Sequence, residues 1–291
     1  MAYGKSIELF LVNGTADSLI TVELSNWNGK ALKIPRIEVS SCDRDDFMQP
    51  GVYFLFCKED DGSDSVYIGE AENVKERLLQ HLRDYQSEKE KYYWNTAVVF
   101  VGRDLNKAHI RYLENRFVEI ARNSKRYLVL TKNTYSHTVL KESQIAVMDE
   151  FIDNVKVLIN ALGYKVLEPI PGKSEQEKSA AENPDKETIM LHLERSIKNV
   201  GKVEADGSQT SEGFVVFQGS QISLKDDNTI PAVIKERRKS APIDENGVLQ
   251  ENMLFTSPSY AAMFVIGKSA NGLTSWKTSE GKTLKSLENE E

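Results

Sequence analysis

Two tripeptides, Gly51-Val52-Tyr53 and Tyr67-Ile68-Gly69, constrain this chain most. Each lies in an apolar, β-prone run, and the polar residues 58–65 between them contain Gly62. That pattern predicts an antiparallel hairpin. Asn73 is an N-cap residue with Glu76 at the position of a capping-box acid, so a helix starts there. Its expected inward stripe is Val74, Leu78, Leu82 and Tyr85. Arg77 and His81, four residues apart, share the adjacent stripe. Residues 94–101 read as a strand. Residues 107–124 read as a helix with Ile110, Leu113, Phe117 and Ile120 inward and Glu114 at the edge of that face. Residues 142–162 predict a third helix. Upstream, residues 7–12 and 19–24 predict a small hairpin and residues 31–39 a further strand.

A length of 291 residues is enough for two domains, and 40% apolar with 28% charged residues suits a globular protein. No apolar run approaches the ~20 residues of a membrane helix, and the first eight residues do not read as a secretory signal. Cys42 and Cys57 match no metal-ligand spacing and read as reduced thiols, so the expected location is the cytoplasm and no membrane partner is expected. Residues 169–187 are rich in Pro, Gly, Ser, Glu and Lys, the composition of a linker. The expected organisation is a β extension at 1–45, a first domain at 46–168, the linker at 169–187 and a C-terminal α+β domain at 188–291. The last should contain a strand at 213–219, a helix at 230–240 and a short helix after Ser257-Pro258-Ser259.

The residue types around the hairpin suit phosphodiester hydrolysis. That reaction needs a group to activate water, a cation to stabilise charge on phosphorus and help for the departing oxygen. Tyr53 is the candidate base or water-positioning group, though a free tyrosine has a pKa of ~10. Glu114 is the candidate ligand of one Mg²⁺ or Mn²⁺, ions that take few protein carboxylates and keep several waters. Arg77 offers two N–H donors to phosphate oxygens. His81 and Tyr67 supply hydrogen bonds or a proton relay near the same phosphate, and Asn133 orients Glu114 or the phosphate. Taken singly these residues have ordinary roles: hairpin aromatics, a solvated helix stripe, a surface acid beside Lys107 or Arg111, a turn residue. The ordered set is far more specific than any member. The net charge is −7, yet residues 103–132 carry Arg103, Lys107, Arg111, Arg116, Arg122, Lys125, Arg126 and Lys132 against Asp104, Glu114 and Glu119. This is either a solvated helix face or a phosphate-binding one, because local distribution governs such binding.

From Gly51 to Asn133 the order of Tyr53, Tyr67, Arg77, His81, Glu114 and Asn133 resembles the GIY-YIG nuclease family. The resemblance implies an α+β domain with a central three-stranded antiparallel sheet flanked by helices, and one divalent metal held by Glu114. The spacer between the two tripeptides is slightly longer than usual in the family. Where many repair-type members carry a lysine after the second glycine, this chain has Glu70, a negative charge near the site. The segment Ser25-Asn26-Trp27-Asn28-Gly29-Lys30 resembles the leader of a bacterial subgroup of that family. The tail, with Glu212-Gly213-Phe214-Val215-Val216-Phe217-Gln218-Gly219-Ser220 and Asn271-Gly272 before Trp276, resembles a domain of unknown function fused to such nucleases. That domain is itself similar to the restriction-enzyme and adenine-methylase-associated (RAMA) domain, which implies DNA reading and, by association, a restriction or phage-defence setting. Lys235, Arg237, Arg238 and Lys239 then contact phosphates or form a solvated helix end, and Trp276 stacks on a base or packs in the core. The expected activity is a metal-dependent DNA endonuclease. The alternatives are an RNA nuclease and a nucleic-acid-binding module that does not cut. A monomer would nick; a symmetric dimer would cut both strands.

Overall fold

The computed structural model describes residues 4–58, 63–132, 134, 138–172, 189–197 and 201–289. It is a mixed α+β structure with two sheets, and it divides into two units, residues 1–169 and 170–291.

The first unit is built on a seven-stranded sheet in the order β1-β2-β3-β6-β4-β5-β7. Its strands are β1 (Ile7–Leu11), β2 (Ile20–Leu24), β3 (Gly29–Pro35), β4 (Gly51–Lys58), β5 (Asp64–Ala71), β6 (Trp94–Gly102) and β7 (Leu128–Val129). All neighbours pair antiparallel except β5 and β7, which are parallel. The expected three-stranded sheet is therefore the β6-β4-β5 part of a larger one. The N-terminal segment is no appendage: β3 pairs with β6 along its whole length, from Gly29↔Gly102 to Pro35↔Thr96. Without it, β6 would present an unpaired edge. Beyond β3, the Arg36 guanidinium lies over the rings of Tyr85, Tyr93 and Trp94 at 4.5–5.0 Å, a cation–π clamp between the N-terminal segment and the residues at and beyond the first helix's C-terminal end.

Side chains alternate across β4, and all seven residues from Gly51 to Cys57 are buried. Val52, Phe54 and Phe56 pack with helices α2 (Lys107–Ser124) and α3 (Glu142–Ala161). Tyr53, Leu55 and Cys57 pack on the other face with helix α1 (Val74–Gln86). The sheet is thus covered on both faces, which explains an apolar run without polar alternation. Gly51 is demanded by this packing: a Cβ there would lie 2.5 Å from the Phe100 carbonyl oxygen. Asn73 caps α1 as expected, its side chain accepting from Glu76 N–H. The buried stripe differs from the expected one, being Val74, Leu78 and His81. His81 replaces Leu82 and Tyr85 because both of its ring nitrogens find partners, Tyr53 and Glu90. Past α1, Glu88 adopts a left-handed φ of 59° and turns the chain back.

The second unit is a four-stranded antiparallel sheet, β11-β10-β9-β8, formed by β8 (Met190–Ile197), β9 (Gly201–Thr210), β10 (Gly213–Val216) and β11 (Met253–Phe255). Helices α4 (Ala232–Ser240) and α5 (Pro258–Ile266) follow the expected positions. Leu191, Leu193, Val203, Ala205, Phe214 and Val216 share a core with Ala261, Phe264 and Val265 of α5. Short helices α6 (Gly272–Ser275) and α7 (Leu284–Glu288) close the chain.

Candidate active site

The hairpin register places Tyr53 directly opposite Gly69 and Leu55 opposite Tyr67. The missing side chain of Gly69 is where Tyr53 sits: a Cβ there would lie 2.6 Å from Tyr53 Cζ and closer still to the hydroxyl. The Tyr53 and Tyr67 rings stack at 6.3 Å. Tyr53, Tyr67, Glu70, Arg77, Lys107 and Glu114 line a single cavity of about 840 Å³. It joins α1 from one face of the sheet with α2 from the other. Four of the six predicted catalytic residues therefore converge there. His81 does not line it. His81 is fully buried behind the two tyrosines, with ring centroids 5.6 Å from Tyr53 and 5.2 Å from Tyr67. Asn133 lies outside the described residues, while the nearby Thr134 does line the cavity. Thr131 holds this approach in place: its hydroxyl accepts from Ile68 N–H and donates to Ile68 C=O, both at 2.8 Å.

Burial sets the protonation of the two tyrosines. It pushes Tyr53 well above the ordinary phenol value, and the neighbouring Tyr67 adds to this, while the Arg77 charge opposes it. Tyr67 is raised for the same reason, again opposed by Arg77. Burial works against the Arg77 charge, but its interactions with the two tyrosines outweigh that and favour the cation; its Nη1 donates to Gln80 at 2.7 Å. Tyr53 is hydrogen-bonded to His81, Oη to Nε2, at 2.9 Å. The other ring nitrogen, Nδ1, meets a carboxylate oxygen of Glu90. Sequence reasoning missed Glu90, because it lies in the irregular segment after α1 and belongs to no periodic stripe.

Glu114 projects from α2 beside the core stripe Ile110, Leu113 and Phe117 and is itself buried. Its pKa is raised to about 7, first by burial and next by the repulsion of Glu70, against the attraction of Lys107, Arg77 and Arg111. Its Oε2 is buried and has no hydrogen-bond partner among the described residues. Such an atom is costly unless something else binds it. Glu70 is held by Lys107 at 3.1 Å and by Arg111 at 3.8 Å, with a nearly buried side chain. Lys107 and Arg111, expected at phosphate, thus neutralise the acid that distinguishes this hairpin. No group of three or more His, Cys, Asp or Glu that could hold a metal occurs among the described residues. A single carboxylate with an open oxygen suits Mg²⁺ or Mn²⁺, which keep most of their waters.

In the second unit several expected nucleic-acid contacts are structural instead. Trp276 is completely buried against Phe214 and its Nε1 donates to the Pro258 carbonyl at 3.0 Å, so it packs in the core and stacks on no base. Arg237 donates to the Leu254 carbonyl and Arg238 to those of Phe264 and Ser223. Burial lowers the pKa of both. The sequence offers them as phosphate contacts or a solvated helix end; in the fold their planar groups bind strand, helix and loop carbonyls and lie over Phe255 and Phe264. Lys235 reaches Asn228 at 3.2 Å, and Lys239 pairs with Glu236 at 2.6 Å.

Among the described residues no helix is long and apolar enough to cross a membrane. Neither the comparison with curated proteins nor that with solved structures finds a match. Residues 196–288, most of the second unit, match the family model described as "Domain of unknown function (DUF4357)".

Proposed function

We propose that the first unit is a metal-dependent phosphodiester endonuclease of the GIY-YIG type, acting on DNA. The observation that carries this is the convergence, in one cavity, of two tyrosine hydroxyls, the Arg77 guanidinium and a buried Glu114 whose Oε2 has no partner among the described residues. Arg77 offers its fork to the phosphate, as a planar cation suited to paired oxygens. Tyr53 and Tyr67 orient the attacking water. Glu114 would hold the divalent ion, which when bound draws charge from the phosphoryl oxygens as a Lewis acid. Lys107 and Arg111 lie beside Glu70 and offset its charge, so that acid does not stand uncompensated beside the phosphate. The second unit has no role in the chemistry.

The test is incubation of the purified protein with supercoiled plasmid, linear duplex and RNA, in Mg²⁺, Mn²⁺ or EDTA. Cleavage of DNA that requires the metal is expected. Binding of nucleic acid with no cleavage under any metal overturns the proposal in favour of a non-cutting module, and cleavage confined to RNA reassigns the substrate.

A further inference from the structure

We propose that Glu90 is a positioning residue: it holds His81 with the proton on Nδ1, so that Tyr53, His81 and Glu90 form a proton relay directed away from the cavity to the segment after α1. The proposal rests on the phosphodiesterase reading for its catalytic consequence, but its structural half stands alone.

For a neutral His81 the geometry leaves one consistent arrangement. A neutral imidazole has one donor and one acceptor nitrogen. Glu90 reaches Nδ1, and an ionised carboxylate only accepts, so Nδ1 must donate. Nε2 is then the acceptor, and at 2.9 Å it takes the Tyr53 hydroxyl proton. A partner on the second nitrogen of a working histidine is the usual means of choosing tautomer and orientation. The chain spends structure on delivering Glu90. Glu88 takes a left-handed conformation, and the N–H groups of Lys89 and Glu90 both donate to the Asp84 carbonyl, at 2.9 and 3.2 Å. This folds the segment back under α1. The groups facing His81 are Tyr53 from β4, Tyr67 from β5 and Glu90 itself. Arg77 lies one turn earlier on α1, beside both tyrosines, and Tyr92 stacks on Tyr67 at 5.5 Å. His81 is fully buried, so no solvent competes for either nitrogen.

The relay gives Tyr53 a way to act as a base without resting as a phenolate, a form that its burial disfavours. As the water oxygen bonds to phosphorus, one water proton passes to the Tyr53 oxygen and the Tyr53 proton passes to His81 Nε2. The phosphorus–oxygen bond to the departing group breaks, that oxygen keeps the electron pair, and it takes a proton from solvent. His81 is left as an imidazolium facing the Glu90 carboxylate, and it returns its proton to solvent through Tyr53 after the product leaves.

The test uses the full-length protein with ¹⁵N-labelled histidine and three forms: parent, Glu90→Met and Glu90→Gln. Methionine fills the space but its thioether is only a weak acceptor, whereas the glutamine carbonyl can still accept from Nδ1. The parent is expected to show His81 protonated on Nδ1. Glu90→Met should move that proton to Nε2 and lower kcat about 100-fold, with KM changed by less than about threefold. Glu90→Gln should keep the Nδ1 proton and recover part of kcat. A parent His81 protonated on Nε2, an unmoved proton in Glu90→Met, or parental kcat in Glu90→Met overturns the proposal. If the parent cleaves no nucleic acid, the nitrogen spectra alone decide the positioning role, while the phosphodiesterase reading fails separately. Should Glu90→Met not fold, the parent and Glu90→Gln spectra carry the decision.

Discussion

The two units bury polar groups in opposite ways. In the second, Arg237 and Arg238 donate to the carbonyls of Leu254, Phe264 and Ser223, and Trp276 donates to that of Pro258. These acceptors are main-chain carbonyls, with the Asp226 carboxylate also 3.8 Å from Arg238 Nε, and the group is closed upon the fold. In the first, the polar groups of the cavity are bound to one another and left open to it, and Glu114 Oε2 is buried with no partner among the described residues. A fold normally satisfies what it buries. The contrast therefore separates cations and an indole that tie strand, helix and loop backbone together from a buried carboxylate oxygen that the described residues leave unpartnered.

The largest expected effect tests the open side of that contrast. Glu114→Gln should lower metal-dependent cleavage by about a thousandfold or more, since the divalent ion loses its protein ligand. Stability should move the other way. The native Glu114 carboxyl holds its proton to about pH 7, against 4.5 ordinarily. Between those values the native state binds more protons than the unfolded one, so its contribution to stability falls as pH rises. Glu114→Gln removes that slope and should raise Tm at pH 8 by about 2 °C in the absence of metal. A variant that melts lower at pH 8, or cleaves at the parental rate, would show that Glu114 is an ordinary structural acid.

Gly69→Ala should come next. The new methyl group collides with the Tyr53 hydroxyl across the hairpin, so kcat should fall about 100-fold, while overpacking lowers stability by about 1–3 kcal/mol. Kinetics and urea denaturation separate the two terms; loss of stability with unchanged kcat would disconnect Tyr53 from the chemistry.

Arg238→Met probes the closed cluster and should have the smallest effect on function. It leaves the carbonyls of Phe264 and Ser223 without their donor, which destabilises the second unit by about 1–3 kcal/mol. Denaturation followed by hydrogen exchange of β8 to β11 should report this, with metal-dependent cleavage by the first unit within about twofold of the parent. An equal loss of stability in both units would contradict their separation.

Much of the first unit was legible because its signals are local. Asn73 and Glu76 marked the start of α1, the 3.6-residue period outlined α2 over residues 107–124, and the glycine-bounded apolar runs located β4 and β5. The hairpin β8–β9 was missed because its outward residues are polar or charged: His192, Glu194, Arg195, Lys202 and Glu204 interrupt the apolar signal. The pairing of β3 with β6 was missed because it joins segments far apart in the chain.

By itself the sequence determined the local elements and the order of the site residues along them, since periodicity and capping act within a few residues. Tertiary structure decided which polar side chains end up buried and what each one meets. Nothing near Glu90 announces that a left-handed Glu88 will return it to His81, nor does α4 announce that its arginines turn inward. The physical reason is that a buried polar group is stable only with a partner, and the partner here comes from another element: Tyr53 and Glu90 for His81, Ile68 for Thr131, Phe264 for Arg238. For Glu114 Oε2 the described residues provide none.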